Sequence, residues 1–156
     1  MDLYHLCPTP LAPGSIIEPG NWGRIIARRT NVPNAQPLML RELVLERERQ
    51  LAYSQWPSRL KCAFAFLHMV DAAEFASSQQ RTTDILYRVR LISVAAAQGS
   101  TDWRLVNLPT TLESDWATTY WKNMTSLEDA MGLGSGHFRE VLTLSPLRVE
   151  ERLNLS

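Results

Sequence analysis

The chain has 156 residues, 45% of them apolar and 21% charged, a balance that fits one globular domain over 1–156 with a core of its own. Sixteen basic side chains cancel sixteen acidic ones, so bulk charge gives no reason to expect a nucleic-acid-binding surface. No run of about 18 apolar residues predicts a membrane span, and a Met-Asp opening broken at Pro8 does not read as a signal peptide. Cys7 and Cys62 are too few for a disulfide framework or a zinc site, and a reduced, cytoplasmic setting is the expectation.

Residues 2–7 read as a strand. Period-two alternation puts Leu3, His5 and Cys7 on one face and Tyr4 and Leu6 on the other. Residues 8–20 carry Pro8, Pro10, Pro13 and Pro19 and predict an ordered loop. Residues 21–26 read equally as a short strand or a turn of helix. A loop follows over 31–37. Residues 38–54 predict a helix with Leu40, Leu43, Val44 and Leu51 as its apolar stripe, and Arg41, Glu42, Glu46, Glu48 and Arg49 on solvated faces. Trp56-Pro57 ends it.

Residues 62–67 form a nearly all-apolar run, the pattern of a buried strand. A helix over 70–78 follows, with Val70, Ala73, Phe75 and Ala76 as its apolar side and Asp71 near its N-terminal end. Residues 85–94 read as the long central strand, with Arg88 and Arg90 on a wet side opposite Tyr87 and Val89. A turn is expected at 99–102 and an extended segment at 103–108. Thr110-Thr111-Leu112-Glu113 has the capping-box form and opens a helix to about Met124. In that helix Trp116, Tyr120 and Trp121 are core or interface aromatics. Met131–Gly136 is a glycine-rich loop. No Lys-Ser/Thr pair follows it, so it is not a P-loop. Residues 138–144 form a strand that places Glu140 on the same side as Leu142 and Leu144. Burying a carboxylate there costs free energy unless it is paired or faces a cleft. A turn at Ser145-Pro146 and a strand over 147–153 complete a hairpin. His5, His68 and His137 show no metal-ligand spacing, and no Gly-x-Ser-x-Gly elbow is present.

Three of these segments resemble the ADP-ribosyltransferase-like domains in order along the chain. Tyr4-His5 is similar to the pair that ends their first strand. Gly14-Ser15-Ile16-Ile17-Glu18-Pro19-Gly20 resembles the following loop of the rifamycin ADP-ribosyltransferases. Cys7 stands where the family usually carries a hydroxyl. The strand and helix over 62–78 resemble the family's second segment, in which an aromatic stacks on nicotinamide; Phe64 matches that position, with Phe66 as the alternative. The hairpin after Glu140 resembles the family's ending, where a catalytic Glu opens a strand.

The resemblance implies an α+β domain in which two small packed antiparallel sheets form a cleft with flanking helices. It implies a mono-ADP-ribosyltransferase that uses NAD as substrate and needs no metal. The acceptor would be a protein, a nucleic acid or a small molecule, and the setting that of a toxin or a modifying enzyme, with an inhibitor or antitoxin as a partner. Cleavage of the nicotinamide–ribose bond develops positive charge on the ribose, which a carboxylate beneath the sugar stabilises. Glu140 takes that role. His5 would hold the other ribose, Phe64 or Phe66 the nicotinamide ring, Cys7 the place of the usual hydroxyl, and Ser58 or Arg59 the phosphates. A related enzyme that transfers a phosphate from RNA to NAD, and a non-catalytic ligand-binding module on the same scaffold, are the alternatives.

Overall fold

A computed structural model describes residues 1–28, 35–106 and 115–154. Among them, seven strands and five α-helices alternate in the order β1 (Leu3–Cys7), β2 (Ile16–Ile17), α1 (Asn21–Arg28), α2 (Ala35–Ala52), β3 (Ala63–Phe66), α3 (Met69–Ser78), β4 (Ile85–Leu91), β5 (Gln98–Asp102), α4 (Asp115–Lys122), α5 (Leu127–Gly132), β6 (Arg139–Thr143) and β7 (Leu147–Leu153). No helix among the described residues is long and apolar enough to cross a membrane.

All ladders are antiparallel, in the order β2-β7-β4-β1-β3-β6-β5. The fold is therefore α+β, as expected, but the two packed sheets are corrected to one continuous sheet. The reason lies in β1. It pairs along its whole length with β4, and it also meets β3 at a single registered position, Tyr4 opposite Phe66. That narrow seam joins what would otherwise be two halves.

Alternation along the strands separates two cores. On one face Leu3, Ala63, Ala65, Tyr87, Val89, Val141, Leu147 and Val149 pack with Leu127 and Ala130 of α5. On the other, Leu6, Phe66 and Leu86 meet Ala72 and Ala76 of α3, while Leu142 meets Leu45 of α2 and Tyr120 and Trp121 of α4. The inner side of α3 is thus the i, i+4 pair Ala72 and Ala76 together with buried Asp71, and Val70 points out. A run of aromatic rings, Phe66 to Phe75 to Trp103 to Phe138 with centroids 5.1, 5.3 and 5.9 Å apart, ties α3 to the residue that leads into β6.

Several elements differ from expectation. Residues 21–28 are a helix, and Gly23 lets it approach the chain: a Cβ there would stand 2.1 Å from the Leu60 carbonyl oxygen. The expected turn at 99–102 is strand β5, paired with β6 along its length. At Gly99 a Cβ would come within 2.9 Å of both Met124 and Trp56, so close packing explains that glycine. The following residues, Trp103–Leu105, form a short 3₁₀ turn in place of the expected extended segment. Helix α5 covers residues for which no element is expected and runs into the first two residues of the glycine-rich loop. Ser126 caps it by accepting from the Asp129 N–H at 3.0 Å, so the pattern Ser126-x-x-Asp129 was the signal. The capping box at 110–113 lies outside the described residues.

Helix α2 is turned about its axis relative to expectation. Of the predicted apolar stripe, Leu40, Leu43 and Leu51 are 43%, 54% and 69% exposed and only Val44 packs, half-buried, against the core with Tyr120 and Trp121, whereas Glu42 is 1% exposed. The inner side of this helix is held by charge pairing, described next.

Candidate functional site

His5 sits in β1 beside the seam with β3. Its Nδ1 lies 2.7 Å from the Phe64 carbonyl oxygen. A carbonyl only accepts, so Nδ1 carries the proton and Nε2 is left as an acceptor. Burial pushes the imidazole pKa below its usual value, so the ring is neutral at pH 7. Cys7 shares this face, donates to the Thr9 carbonyl at 3.3 Å, and has its thiol pKa raised by burial.

The loop after β1 is anchored close by. The Tyr87 hydroxyl accepts from Leu11 N–H at 2.8 Å and donates to the Thr9 carbonyl at 3.2 Å. Gly14 N–H donates to Val149 O at 2.8 Å, and Val149 N–H returns a bond to Ser15 O at 2.9 Å. The Pro-rich sequence 8–20 is therefore ordered by the sheet it crosses. His5, Tyr87 and the two bonded loop residues form one connected region.

Glu140 is elsewhere. Register places Tyr4 opposite Phe66 and Phe66 opposite Glu140, so these three share a face, and His5, next to Tyr4, points to the other. The expected meeting of His5 and Glu140 across one groove is not what the strands build. One Glu140 oxygen accepts from Arg59 Nη1 at 2.7 Å and from the Tyr120 hydroxyl at 2.8 Å. Arg59 also donates through Nε to Glu42 at 3.0 Å, and Arg41 closes on Glu42 at 2.8 Å. Glu140, Arg59, Glu42 and Tyr120 are all at most 7% exposed.

Two arginines thus balance two carboxylates beneath α2 and α4. The Arg59 guanidinium lies 4.9 Å from the centroid of the Phe64 ring and 5.2 Å from that of Tyr120. Burial opposes the Arg59 charge, yet Glu42 leads the groups that outweigh it and hold its pKa well above the usual range. Burial likewise opposes the Glu42 charge, and Arg59 and Arg41 overcome that to keep its pKa low. Burial drives the Tyr120 hydroxyl pKa well up, so it stays protonated and able to donate. Ser58 donates to Glu46 at 2.8 Å, and Arg49 pairs with the same carboxylate at 2.9 Å.

The seven sequence-derived site residues therefore divide. His5 and Cys7 stand together on one face. Ser58, Arg59, Phe64 and Glu140 gather on the other. Phe66 is core, packed on Phe75 and Ala72. Sequence reading missed Glu42 and Tyr120 as partners. Neither carries a spacing signal: Glu42 looks like any helix surface charge, and Tyr120 like any helix aromatic. Among the described residues no group of three or more His, Cys, Asp or Glu side chains is arranged to hold a metal ion.

Residues 24–138 match the family described as "Protein of unknown function (DUF2441)". The chain belongs to this family. The DUF2441 match takes in Arg59, Phe64, Tyr120, most of α1 and the other helices, and stops short of β1, β2, β6 and β7. His5 and Glu140 thus lie outside the matched span of this DUF2441 chain, on strands that flank β3 and pair with it. No curated protein matches the chain.

Proposed function

We propose that this DUF2441 protein binds NAD on the face that carries His5 and transfers its ADP-ribose to an acceptor. The observation that carries the reading is the His5 imidazole. It is neutral, its Nδ1–H is fixed to the Phe64 carbonyl, and its Nε2 is an acceptor suited to a ribose hydroxyl. The resemblance of Tyr4-His5 and of the loop from Gly14 to Gly20 to the ADP-ribosyltransferases supports the same ligand. The anchoring of that loop to β7 agrees with its use as a wall of the site.

A second reading is favoured by the position of Glu140. In RNA phosphotransfer to NAD, arginines carry the chemistry and no such glutamate is needed. A Glu140 buried with Arg59 and turned away from His5 fits that better than it fits a carboxylate beneath a reacting ribose. Both readings require NAD.

Incubating the protein with isotope-labelled NAD and source lysate, read by mass spectrometry, tests them. Labelled ADP-ribose on a lysate component, lost in His5→Ala, supports the first. Transfer of a 2′-phosphate from RNA to NAD, unchanged in a folded Glu140→Gln variant, supports the second. Absence of NAD binding by calorimetry would leave neither standing and would favour a non-catalytic module.

A further inference from the structure

Beyond His5, the same end of the sheet holds an open recess of about 420 Å³. It lies where β4 begins and β7 ends and wraps that end of the sheet: Ile85 and Arg152 line it from the His5 face, Leu86 and Leu153 from the opposite face, and Thr82, Thr83, Asp84 and Asn154 from the flanking chain. A space of this size accepts part of a small ligand. Its place follows from register. His5 stands opposite Tyr87, and Tyr87 opposite Arg152, so the three form one row on one face across β1, β4 and β7. Two strand spacings separate the ends of that row, about 10 Å between backbones.

The charges around the recess single out Arg152. Arg81 and Asp84 pair with each other, Arg148 pairs with Glu150 at 2.9 Å, and Arg88 pairs with Glu151 at 2.8 Å. Arg152 is exposed and makes no ion pair or side-chain hydrogen bond among the described residues. Beside the Asp84 carboxylate, which Arg81 pairs, the recess holds one uncompensated guanidinium, two threonine hydroxyls and an asparagine amide. All of these can donate to an anion with several oxygens. The recess is also close to His5: burial dominates the shift of that imidazole, but the charges of Arg81 and Asp84 are felt there too.

We propose that this recess binds the phosphate group of the nucleotide whose ribose His5 holds, with Arg152 as the binding charge and Thr82 and Thr83 as neutral donors. The assignment rests on the His5 reading above for the nature of the ligand. The phosphate preference itself rests on the recess alone. Arg59 is thereby replaced in the phosphate role, because Glu42 and Glu140 already occupy its donors.

Titrating the full chain with inorganic pyrophosphate, followed by calorimetry or phosphorus NMR, tests the proposal. Binding is expected in the wild type, weaker at higher salt, about tenfold or more weaker in Arg152→Ala, and mostly restored in Arg152→Lys. Arg148→Ala, an exposed and paired arginine on the same strand, is the control and should bind as the wild type does. Pyrophosphate binding that survives Arg152→Ala, or no pyrophosphate binding by folded wild-type protein, overturns the recess. NAD titrations separate the two ideas. NAD binding indifferent to Arg152→Ala removes the recess and keeps the His5 reading. Arg152-dependent pyrophosphate binding without NAD binding keeps the recess and removes the His5 reading.

Discussion

At the scale of residues, Arg59 gathers two buried charge pairs, with Glu42 and with Glu140. A buried pair is held at a desolvation cost, so its removal one partner at a time is far worse than its absence. Glu140→Ala leaves Arg59 with one fewer anion and should cost about 3–5 kcal/mol in urea unfolding. Glu140→Gln keeps an acceptor for Tyr120 and Arg59 and should cost clearly less. Equal losses in the two variants would mean that side-chain volume, not charge, is what matters there. His5 gives a pH effect of known sign. Its folded pKa lies below the unfolded value of about 6.5, so the unfolded chain binds the extra proton between the two. Stability from this group is therefore complete above about pH 6.5 and falls as pH drops toward the lower folded pKa. Urea midpoints measured from about pH 7.5 to 5 should decline in the wild type and decline less in His5→Gln.

At the scale of elements, α2 is the unusual one. A helix with leucines at 40, 43 and 51 reads as one that buries them. Here the opposite side wins, because Glu42 finds Arg59 and Glu46 finds Ser58 and Arg49, while Leu45 alone supplies a fully buried leucine. Side chains distant in sequence, Ser58 and Arg59 before β3 and Tyr120 and Trp121 of α4, decide this, and no local pattern contains them. Leu45→Ala should therefore cost about 2–5 kcal/mol, and Leu43→Gln should stay within about 0.5 kcal/mol of wild type. Thermal or urea unfolding of the pair checks which face is inside; a large loss from Leu43→Gln would reverse the assignment.

At the scale of the molecule, the sheet is held together by β1, whose two neighbours come from different halves of the chain. The family match over 24–138 leaves out β1, β2, β6 and β7. A fragment cut to those limits loses the centre of the sheet, both partners of β4, and the anion Glu140 that Arg59 requires. It should be unfolded by circular dichroism and amide proton dispersion, whereas the full chain should give a folded spectrum and a cooperative transition; a folded fragment would show that β1 is dispensable.

By itself the sequence determined the class, most strands and the neighbours of His5 along β1. Alternation is a local property, fixed by successive side chains pointing to opposite sides of the backbone. For the same reason it placed Glu140 beside Leu142 correctly. Only the tertiary structure decided which face of the sheet that was. Strand register links residues more than a hundred positions apart through backbone hydrogen bonds that carry no side-chain signature, and a shift of one residue exchanges the faces. The pairing of Tyr4 with Phe66, and of Phe66 with Glu140, separates the two groups that the order along the chain had joined. The pairing of His5 with Tyr87, and of Tyr87 with Arg152, brings together two that the order had left apart.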